Sequence, residues 1–468
     1  MATTETSLRE ADPYHLTADG IKEPPVGWRA SLKYLGPGLI LSASIVGSGE
    51  LIATTTLGAE VGFVLLWMVI FSTFVKVAVQ VELARWTIAT GEPALTGYNK
   101  VPPRIGRVGW VNVLWLVLAL SKLLQLGGII GGVAVAFSIL FPIGGPALGG
   151  TSLAIWTCVL AAGSIAMLYS NNYTLIERGA VGLVVVFSFV TILIALGLPA
   201  TPFGYGASDI GSGLTFMIPA GALGAALAMF GITGVGADEI TFYTYWCVEK
   251  GYARYTGPHE DSEAWRRRAR GWVRVMNVDV IFSMIIYTVA TIAFYLLGAG
   301  ILHGMGQVPA TSDMIPILSN IYTETLGGWA KWLFYIGAII VLYGTIFAAT
   351  AGHSRMFADF MRLQGRFEHD DMKARNRWRD IFIVVLTVIP VILFFIFGEK
   401  PVAMVKWGGF AQAWTLPILS LGTVYLIRRY LPKEMSATPL GNALLWVGAI
   451  VITGFVLVSE ARRWGLFG

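Results

Sequence analysis

Two short interruptions divide otherwise apolar stretches of this chain: IVGSGELIAT at residues 45–54 and ITGVGADEIT at residues 232–241. Each interruption combines two glycines with one or two acidic residues. An acidic side chain at the depth of a bilayer is costly, and such residues usually mark an ion or substrate pathway. Glycines there release backbone groups from helical hydrogen bonding, which is tolerated only where the backbone is buried in protein or lines a cavity. A matched pair of interrupted segments in two halves of one chain is typical of secondary transporters.

The composition places the chain in a membrane. Of its 468 residues, 55% are hydrophobic and only 13% are charged, whereas a soluble domain carries about a quarter charged residues. Windows of about 20 apolar residues are long enough to cross the hydrocarbon core. We therefore predict an all-α integral membrane protein with about eleven transmembrane helices, numbered here as spans 1 to 11: 36–57, 62–84, 109–140, 151–169, 174–198, 213–247, 273–300, 328–354, 380–398, 402–427 and 439–460.

Lysine and arginine are distributed unevenly among the connections. They occur in the tail of residues 1–35 and after spans 2, 6 and 8, and they are absent after spans 1, 3, 5 and 7. Because cytoplasmic loops carry the excess of these residues, we predict a cytoplasmic N-terminus and, with eleven crossings, an external C-terminus. The polar tail lacks the features of a cleaved signal peptide, and the expected location is a bacterial inner membrane.

The two interrupted segments indicate an internal repeat. Both contain Gly-x-Gly followed by Glu, an aliphatic residue and Thr. The first opens a five-span unit, residues 36–198, and the second opens another, residues 213–430, which leaves residues 439–460 as an eleventh span. Because five is odd, the two units enter the membrane from opposite sides. This arrangement predicts the 5+5 inverted repeat of the leucine-transporter type, with broken helices 1 and 6.

Several segments along the chain carry a resemblance to a known family. Residues 36–67 resemble the first two helices of the NRAMP family of divalent-metal transporters, and residues 80–91 resemble the end of its second helix. Residues 176–178 (Ile-Glu-Arg), 277–279 (Asn-Val-Asp) and 412–417 are similar to parts of its fifth, seventh and tenth helices. The resemblance covers about residues 30–460, and it implies the family's fold and an alternating-access mechanism.

The chain departs from that family at its metal-binding motifs. The family's Asp-Pro-Gly-Asn is Gly-Ser-Gly-Glu at residues 47–50, and its Met-Pro-His is Val-Gly-Ala at residues 235–237. The third span has Lys122 and Gln125 where the family carries acidic residues. The thioether that favours transition metals and the histidine linked to proton movement are therefore both missing. Selectivity for manganese or iron does not follow from the resemblance.

Three carboxylates, Glu50, Asp238 and Glu239, are the candidate metal ligands. Hard oxygen ligands suit Mg²⁺ or another hard cation, and they would equally suit an organic ammonium group. Each acid stands at the start of a half-helix, so an alternative is that it caps free N–H groups there. Backbone carbonyls are expected to face the same cavity because of the glycines at four positions: Gly47, Gly49, Gly234 and Gly236.

Two lysines and two further ionisable residues are candidates for charge compensation or coupling. If Lys76 or Lys122 pairs with Glu50, the site is nearly neutral and a neutral or zwitterionic solute is favoured; if neither does, a cation is favoured. Asp279 is either a proton-relay group or a partner of Arg274. His353 is either a hydrogen-bonded interface residue or a proton carrier.

The leading hypothesis is an NRAMP-like secondary transporter that moves a divalent cation such as Mg²⁺ or Mn²⁺. The alternatives are a transporter of an organic cation or zwitterion, and a membrane sensor that keeps the fold without transporting. No phosphate-binding loop or paired histidine motif indicates an enzyme. No cofactor is expected besides the transported cation, with proton or other ion coupling possible. The expected partners are the lipid bilayer and the small solute, not nucleic acid, and the oligomeric state stays open.

Overall fold

The chain folds as a bundle of long helices, seen in a computed structural model that describes residues 12–169, 173–310, 313–397 and 400–466. Residues 1–11 of the predicted tail lie outside the described residues. The α-helices are α1 (Trp28–Ser31), α2 (Pro37–Ile45), α3 (Thr55–Val61), α4 (Leu66–Val75), α5 (Val77–Thr90), α6 (Ala94–Tyr98), α7 (Trp110–Leu140), α8 (Gly150–Tyr169), α9 (Tyr173–Gly197), α10 (Ala207–Ser212), α11 (Leu223–Ile232), α12 (Ala237–Lys250), α13 (Tyr252–Thr256), α14 (Glu263–Leu297), α15 (Met314–Leu326), α16 (Ala330–Leu363), α17 (Met372–Ile396), α18 (Pro401–Tyr430) and α19 (Pro439–Arg463).

Shorter elements complete the described structure. Two π-helices occupy Val46–Thr54 and Gly298–Leu302. The strands β1 (Arg104–Ile105) and β2 (Val108–Gly109) form an antiparallel pair after span 2. Single 3₁₀ turns lie at Ala18–Gly20, Leu32–Tyr34, Gly62–Leu65, Leu198–Ala200, Ala220–Ala222 and Lys433–Met435.

Each predicted span corresponds to a helix or a pair of helices. Nine helical segments of the described residues are long and apolar enough to cross a membrane. The first of them, Pro37–Thr90, contains spans 1 and 2, which meet at the turn Gly62–Leu65, where Gly62 has a φ of 64°. Span 5 corresponds to α9, which continues into the turn at Leu198–Ala200. The prediction of about eleven transmembrane helices is therefore consistent with the structure.

The interruptions of spans 1 and 6 take different forms. Span 6 is broken outright, since α11 ends at Ile232 and α12 begins at Ala237. Span 1 instead widens into the π-helix Val46–Thr54 between α2 and α3. A π-helix turn shifts the hydrogen-bonding pattern without ending the helix, and such turns often occur at functional sites. The first interruption is therefore a local widening rather than an unwound gap.

Span 7 is longer than its hydropathy indicates. Its helix α14 begins at Glu263, ten residues before the predicted start, where the Ser262 side chain accepts a hydrogen bond from the Trp265 N–H at 3.1 Å. The added turns are rich in arginine, so an apolar window misses them while a helix cap still specifies them. The extension carries basic residues beyond the apolar part of the span.

Spans 3, 8 and 10 surround the two interruptions. Helix α7 packs against α16, α17 and α18, and α18 also packs against α11. The π-helix of span 1 lies between α14 and α16. Both interruptions are thereby enclosed by neighbouring helices, as backbone that is not α-helical must be at membrane depth.

The basic connections gather at one end of the bundle. After span 2, the Thr96 hydroxyl donates to Asp359 near the end of span 8 at 3.1 Å. After span 6, Arg270 donates to the Glu434 carbonyl at 3.4 Å, next to the end of span 10. The connections predicted to be cytoplasmic therefore lie together, as the predicted topology requires.

Candidate functional site

The break of span 6 depends on two glycines. Gly234 has a φ of 63°, and a Cβ atom there would lie 3.1 Å from Thr73 Cγ2 in span 2. A Cβ at Gly236 would lie 2.6 Å from the Gly231 carbonyl oxygen. Only glycine adopts the left-handed backbone without strain. The sequence Gly-Val-Gly thus turns the chain within the membrane and leaves the ends of two half-helices free.

Glu50 reaches this break from span 1. Its carboxylate accepts hydrogen bonds from the Gly234 N–H at 3.2 Å and from the Thr54 hydroxyl at 2.8 Å. Thr54 lies 3.2 Å from the Thr233 hydroxyl, so the two interrupted spans also meet through side chains. Glu50 is fully buried. Within the described residues, no lysine, arginine or histidine forms an ion pair with it.

Lys76 lies on the other side of the same break. Its ammonium donates to the carbonyl oxygens of Phe230 at 2.7 Å and Thr233 at 2.5 Å, and it is fully buried. It also lies 5.2 Å from the centre of the Phe230 ring. The carbonyls at the end of a helix have no intrahelical partner and carry partial negative charge. The lysine therefore satisfies the C-terminal end of α11 where that helix stops in the membrane.

A second charged cluster lies at the start of α12. The Lys122 ammonium from span 3 is 2.9 Å from an Asp238 carboxylate oxygen and 3.3 Å from one of Glu239. His353 from span 8 places Nε2 2.7 Å from the other Asp238 oxygen. All four side chains are buried. The cluster joins spans 3, 6 and 8.

The hydrogen bonds of His353 define a proton site. Its Nδ1 lies 2.6 Å from the Ala349 carbonyl oxygen, which can only accept, and its Nε2 faces the Asp238 carboxylate. Two acceptors require either an imidazolium opposite a carboxylate or a neutral imidazole opposite a protonated carboxyl group. In both cases one proton lies between His353 Nε2 and the Asp238 carboxylate.

The three predicted carboxylates divide between two places. Glu50 contacts the Gly234 amide, whereas Asp238 and Glu239 contact Lys122. Within the described ranges, no group of three or more His, Cys, Asp and Glu side chains is arranged to hold a metal ion. The expected cluster of three acidic ligands is therefore not formed. Lys122 instead pairs with the other two acids, which offsets the cost of burying their charges.

The structure also shows whether a lysine pairs with Glu50 and whether Asp238 caps a helix. Neither Lys76 nor Lys122 forms an ion pair with Glu50. The Asp238 side chain pairs with Lys122 and His353 instead of capping α12, and the Asp238 N–H faces the Gln412 side chain at 3.4 Å. Simple helix capping therefore does not describe the role of Asp238.

Asp279 lies outside both clusters. Its carboxylate accepts hydrogen bonds from the N–H groups of Gly36 at 3.0 Å and Gly38 at 2.6 Å, and from the Tyr243 hydroxyl at 2.8 Å. It thus holds the N-terminus of α2 against span 7. Of the two alternatives for Asp279, the pairing with Arg274 is not found among the ion pairs of the described residues, and the proton-relay role stays a prediction.

The glycines of span 1 allow close approach between helices. A Cβ at Gly47 would lie 2.8 Å from the Val341 carbonyl oxygen of span 8. A Cβ at Gly49 would lie 3.3 Å from the Ile232 carbonyl oxygen at the end of α11. Both contacts bring the π-helix against neighbouring backbone, which a larger residue would prevent.

Sequence reasoning missed several polar side chains near the break. The Tyr287 ring lies 3.4 Å from the position of a Cβ at Gly234, and its hydroxyl is buried with no hydrogen-bond partner in the described part of the chain. The same is true of both polar atoms of Gln80, one helical turn after Lys76. Buried polar groups without partners are rare and costly. A lone Tyr or Gln within an apolar span carries no sequence signal that would have identified it.

The membrane-length helices, the broken sixth span and the buried charges at its ends define an integral membrane transporter of the leucine-transporter type. The chain belongs to the Nramp family, because residues 38–459 match the family described as natural resistance-associated macrophage protein-like.

Individual relatives are distant but cover the chain. An uncharacterized protein of Pasteurella multocida is 22% identical over 94% of both chains. The divalent metal cation transporter MntH of Mycobacterium tuberculosis is 24% identical over 93% of this chain and 94% of its own.

Solved structures show the same fold. A mutant of the Eremococcus coleocola manganese transporter matches with a TM-score of 0.64 at 16% identity, over 96% of this chain and 90% of that one. MhsT in complex with L-phenylalanine matches with a TM-score of 0.53 at 15% identity, over 94% of this chain and 99% of its own. The predicted fold and family are confirmed.

Proposed function

We propose that this protein is a secondary transporter that carries a cation, with Glu50 as the group that attracts it. One observation carries the proposal: Glu50 is fully buried beside the break of span 6 and has no ion-pair partner among the described residues. An unpaired carboxylate in a low-dielectric interior strongly favours a positive ligand. A divalent metal ion such as Mg²⁺ or Mn²⁺ is the cargo that we favour, since relatives named as divalent metal cation transporters support it.

Charge balance links the cargo to a proton. The buried groups of the site are three carboxylates, two ammonium groups and the proton of the His353–Asp238 pair. With the proton bound the charges cancel, and without it the site is negative. Loss of the proton leaves the site negative, which favours binding of a cation. Binding of a cation makes the site positive, which in turn favours loss of the proton.

The cluster at the start of α12 also connects the parts that would move. In the alternating-access mechanism implied by the family, spans 1, 2, 6 and 7 move against spans 3, 4, 8 and 9. Asp238 lies on span 6, while Lys122 and His353 lie on spans 3 and 8. The pairs between them cross the interface of the two groups, so loss of the proton would weaken a contact between moving parts. The gathered basic connections support a cytoplasmic N-terminus in a bacterial inner membrane.

A transporter of an organic cation or zwitterion is the second candidate. Lys122 neutralises much of the charge of Asp238 and Glu239, and two lysines stand within the site. A nearly neutral pocket with unpartnered polar groups such as the Tyr287 hydroxyl suits a polar organic solute.

Tracer uptake into liposomes separates these candidates. Uptake of radioactive Mn²⁺ that Mg²⁺ and Ca²⁺ inhibit supports the divalent cation. Inhibition by organic amines or amino acids, with no effect of divalent ions, supports the second candidate. Binding of a ligand without any uptake would instead indicate a membrane sensor with this fold, and it would contradict both.

A further inference from the structure

Two backbone carbonyls at the end of α11 hold the Lys76 ammonium. The ammonium contacts the carbonyl oxygen of Phe230 at 2.7 Å and that of Thr233 at 2.5 Å. Free carbonyls at a helix break are the groups that coordinate a transported cation in broken-helix transporters. Here a side chain of the protein itself holds them.

The neighbouring groups show why a lysine is stable in this position. The Lys76 ammonium lies 5.2 Å from the centre of the Phe230 ring, and the C-terminal end of α11 supplies partial negative charge. No carboxylate of the described residues lies within ion-pair distance of Lys76, so backbone and ring provide its immediate partners. These are the contacts of a bound cation rather than of an ordinary salt bridge.

We propose that Lys76 acts as a tethered cation that limits which ions the site accepts. It denies the Phe230 and Thr233 carbonyls to the cargo, and it places a positive charge one peptide group away from Glu50. A small ion that needs a complete shell of oxygen ligands then lacks these two carbonyl oxygens. This inference rests on the proposed function, because it assigns a selectivity role within the same site.

The consequence is a site in which Glu50 supplies the principal charge. A divalent ion binds only with its remaining ligands from water and from neutral groups near Glu50, such as the Thr54 hydroxyl. Hard divalent ions retain much of their hydration and bind weakly to such partial shells. Removal of the lysine charge would complete the shell and raise affinity for divalent ions.

The test is equilibrium binding of Mn²⁺ to the full chain in lipid nanodiscs. Lys76→Met removes the charge and frees both carbonyls, and we expect Mn²⁺ to bind about tenfold more tightly or better, from the loss of a unit charge at short range. Lys76→Arg keeps the charge and should show no such gain. Lys331→Met is the matched control, since Lys331 is an exposed lysine on span 8, and it should bind like the wild type.

Several outcomes would overturn the proposal. The proposal is contradicted if Lys76→Met has the elution volume and melting temperature of the wild type but binds Mn²⁺ no more tightly. An equal gain of Mn²⁺ affinity in Lys331→Met contradicts it as well. If Lys76→Met does not fold, Lys76→Gln retains N–H donors for the two carbonyls and removes the charge. An unchanged affinity in that variant contradicts the proposal as well.

Together with tracer uptake into liposomes, this binding experiment separates the role of Lys76 from the proposed function. If the wild type transports no divalent ion but Lys76→Met gains Mn²⁺ binding, the cargo assignment fails and the role of Lys76 stands. If the wild type transports Mn²⁺ and Lys76→Met binds it no more tightly, the cargo assignment stands and the role of Lys76 fails.

Discussion

Lys76 and Glu50 lie at opposite ends of one peptide group. The carbonyl of Thr233 accepts a hydrogen bond from the Lys76 ammonium at 2.5 Å, and the N–H of Gly234 donates to the Glu50 carboxylate at 3.2 Å. In a trans peptide the C=O and N–H point in opposite directions, so the two charges stand on opposite sides of the chain. The broken backbone of span 6 thereby separates the buried Lys76 ammonium from the acid that we propose to bind the cation.

Glu50→Gln should weaken binding of Mn²⁺ or Mg²⁺ by about tenfold or more, since it removes a buried charge without changing size. Isothermal titration calorimetry measures the affinity directly. Glu324→Gln is the matched control, because Glu324 is exposed near the end of α15. An unchanged affinity in a folded Glu50→Gln protein would remove Glu50 from the site.

Lys122→Met should destabilise the protein by about 3–5 kcal/mol, because the buried Glu239 carboxylate loses its ion-pair partner and Asp238 keeps only His353. Chemical denaturation in detergent, compared with Lys331→Met, measures the loss. Adding Asp238→Asn to Lys122→Met should restore part of the stability. Stability equal to wild type in Lys122→Met would show that the Lys122–Asp238 pair at 2.9 Å is not a structural contact.

Cation affinity should rise with pH, because loss of the His353–Asp238 proton leaves the site negative. Binding should correspondingly release a proton into a weakly buffered solution, which a pH-sensitive dye detects. His353→Gln should reduce both the proton release and the pH dependence. His303→Gln is the control and should preserve them. His303 contacts the Ala59 carbonyl just after span 1 and does not contact Asp238. Equal proton release from wild type and His353→Gln would place the coupling proton elsewhere.

Gly234→Ala should destabilise the protein by about 1–2 kcal/mol from its left-handed backbone alone, with a further cost from the contact with Thr73. Thermal unfolding, monitored by a change in melting temperature, provides the measurement. Gly224→Ala lies in the first half of the same span, where a Cβ would meet the nearest atom at an ordinary 3.7 Å. That variant should be neutral or slightly stabilising. A Gly234→Ala protein as stable as Gly224→Ala would argue against the observed backbone at the break.

Local sequence patterns predicted the positions of the spans and of the two interruptions. Apolar stretches located the spans, and the glycines with adjacent acids located both interruptions. The aligned segments alone could not distinguish a π-helix in span 1 from an open break in span 6. The difference lies in the backbone: Gly234 has a φ of 63°, whereas span 1 continues as a π-helix that packs against span 8 at Gly47.

The partners of the charged residues could not be predicted. Lys122 and Glu239 are 117 positions apart, and His353 and Asp238 are 115 apart, so their pairing depends on how three helices are rotated against each other. The sequence presents Lys76 as a possible partner of Glu50, since a lysine that binds backbone carbonyls has no sequence signature. The three predicted acids do lie near the break of span 6, but the sequence did not show that two of them pair with Lys122.

The central claim is that a cation binds at Glu50 beside the break of span 6. Anomalous scattering from a crystal of the full chain soaked in Mn²⁺ tests it most directly. We predict an anomalous peak in contact with the Glu50 carboxylate that disappears in Glu50→Gln. No peak at Glu50 when Mn²⁺ is found elsewhere in the same crystal, or a peak that persists in Glu50→Gln, would contradict the account.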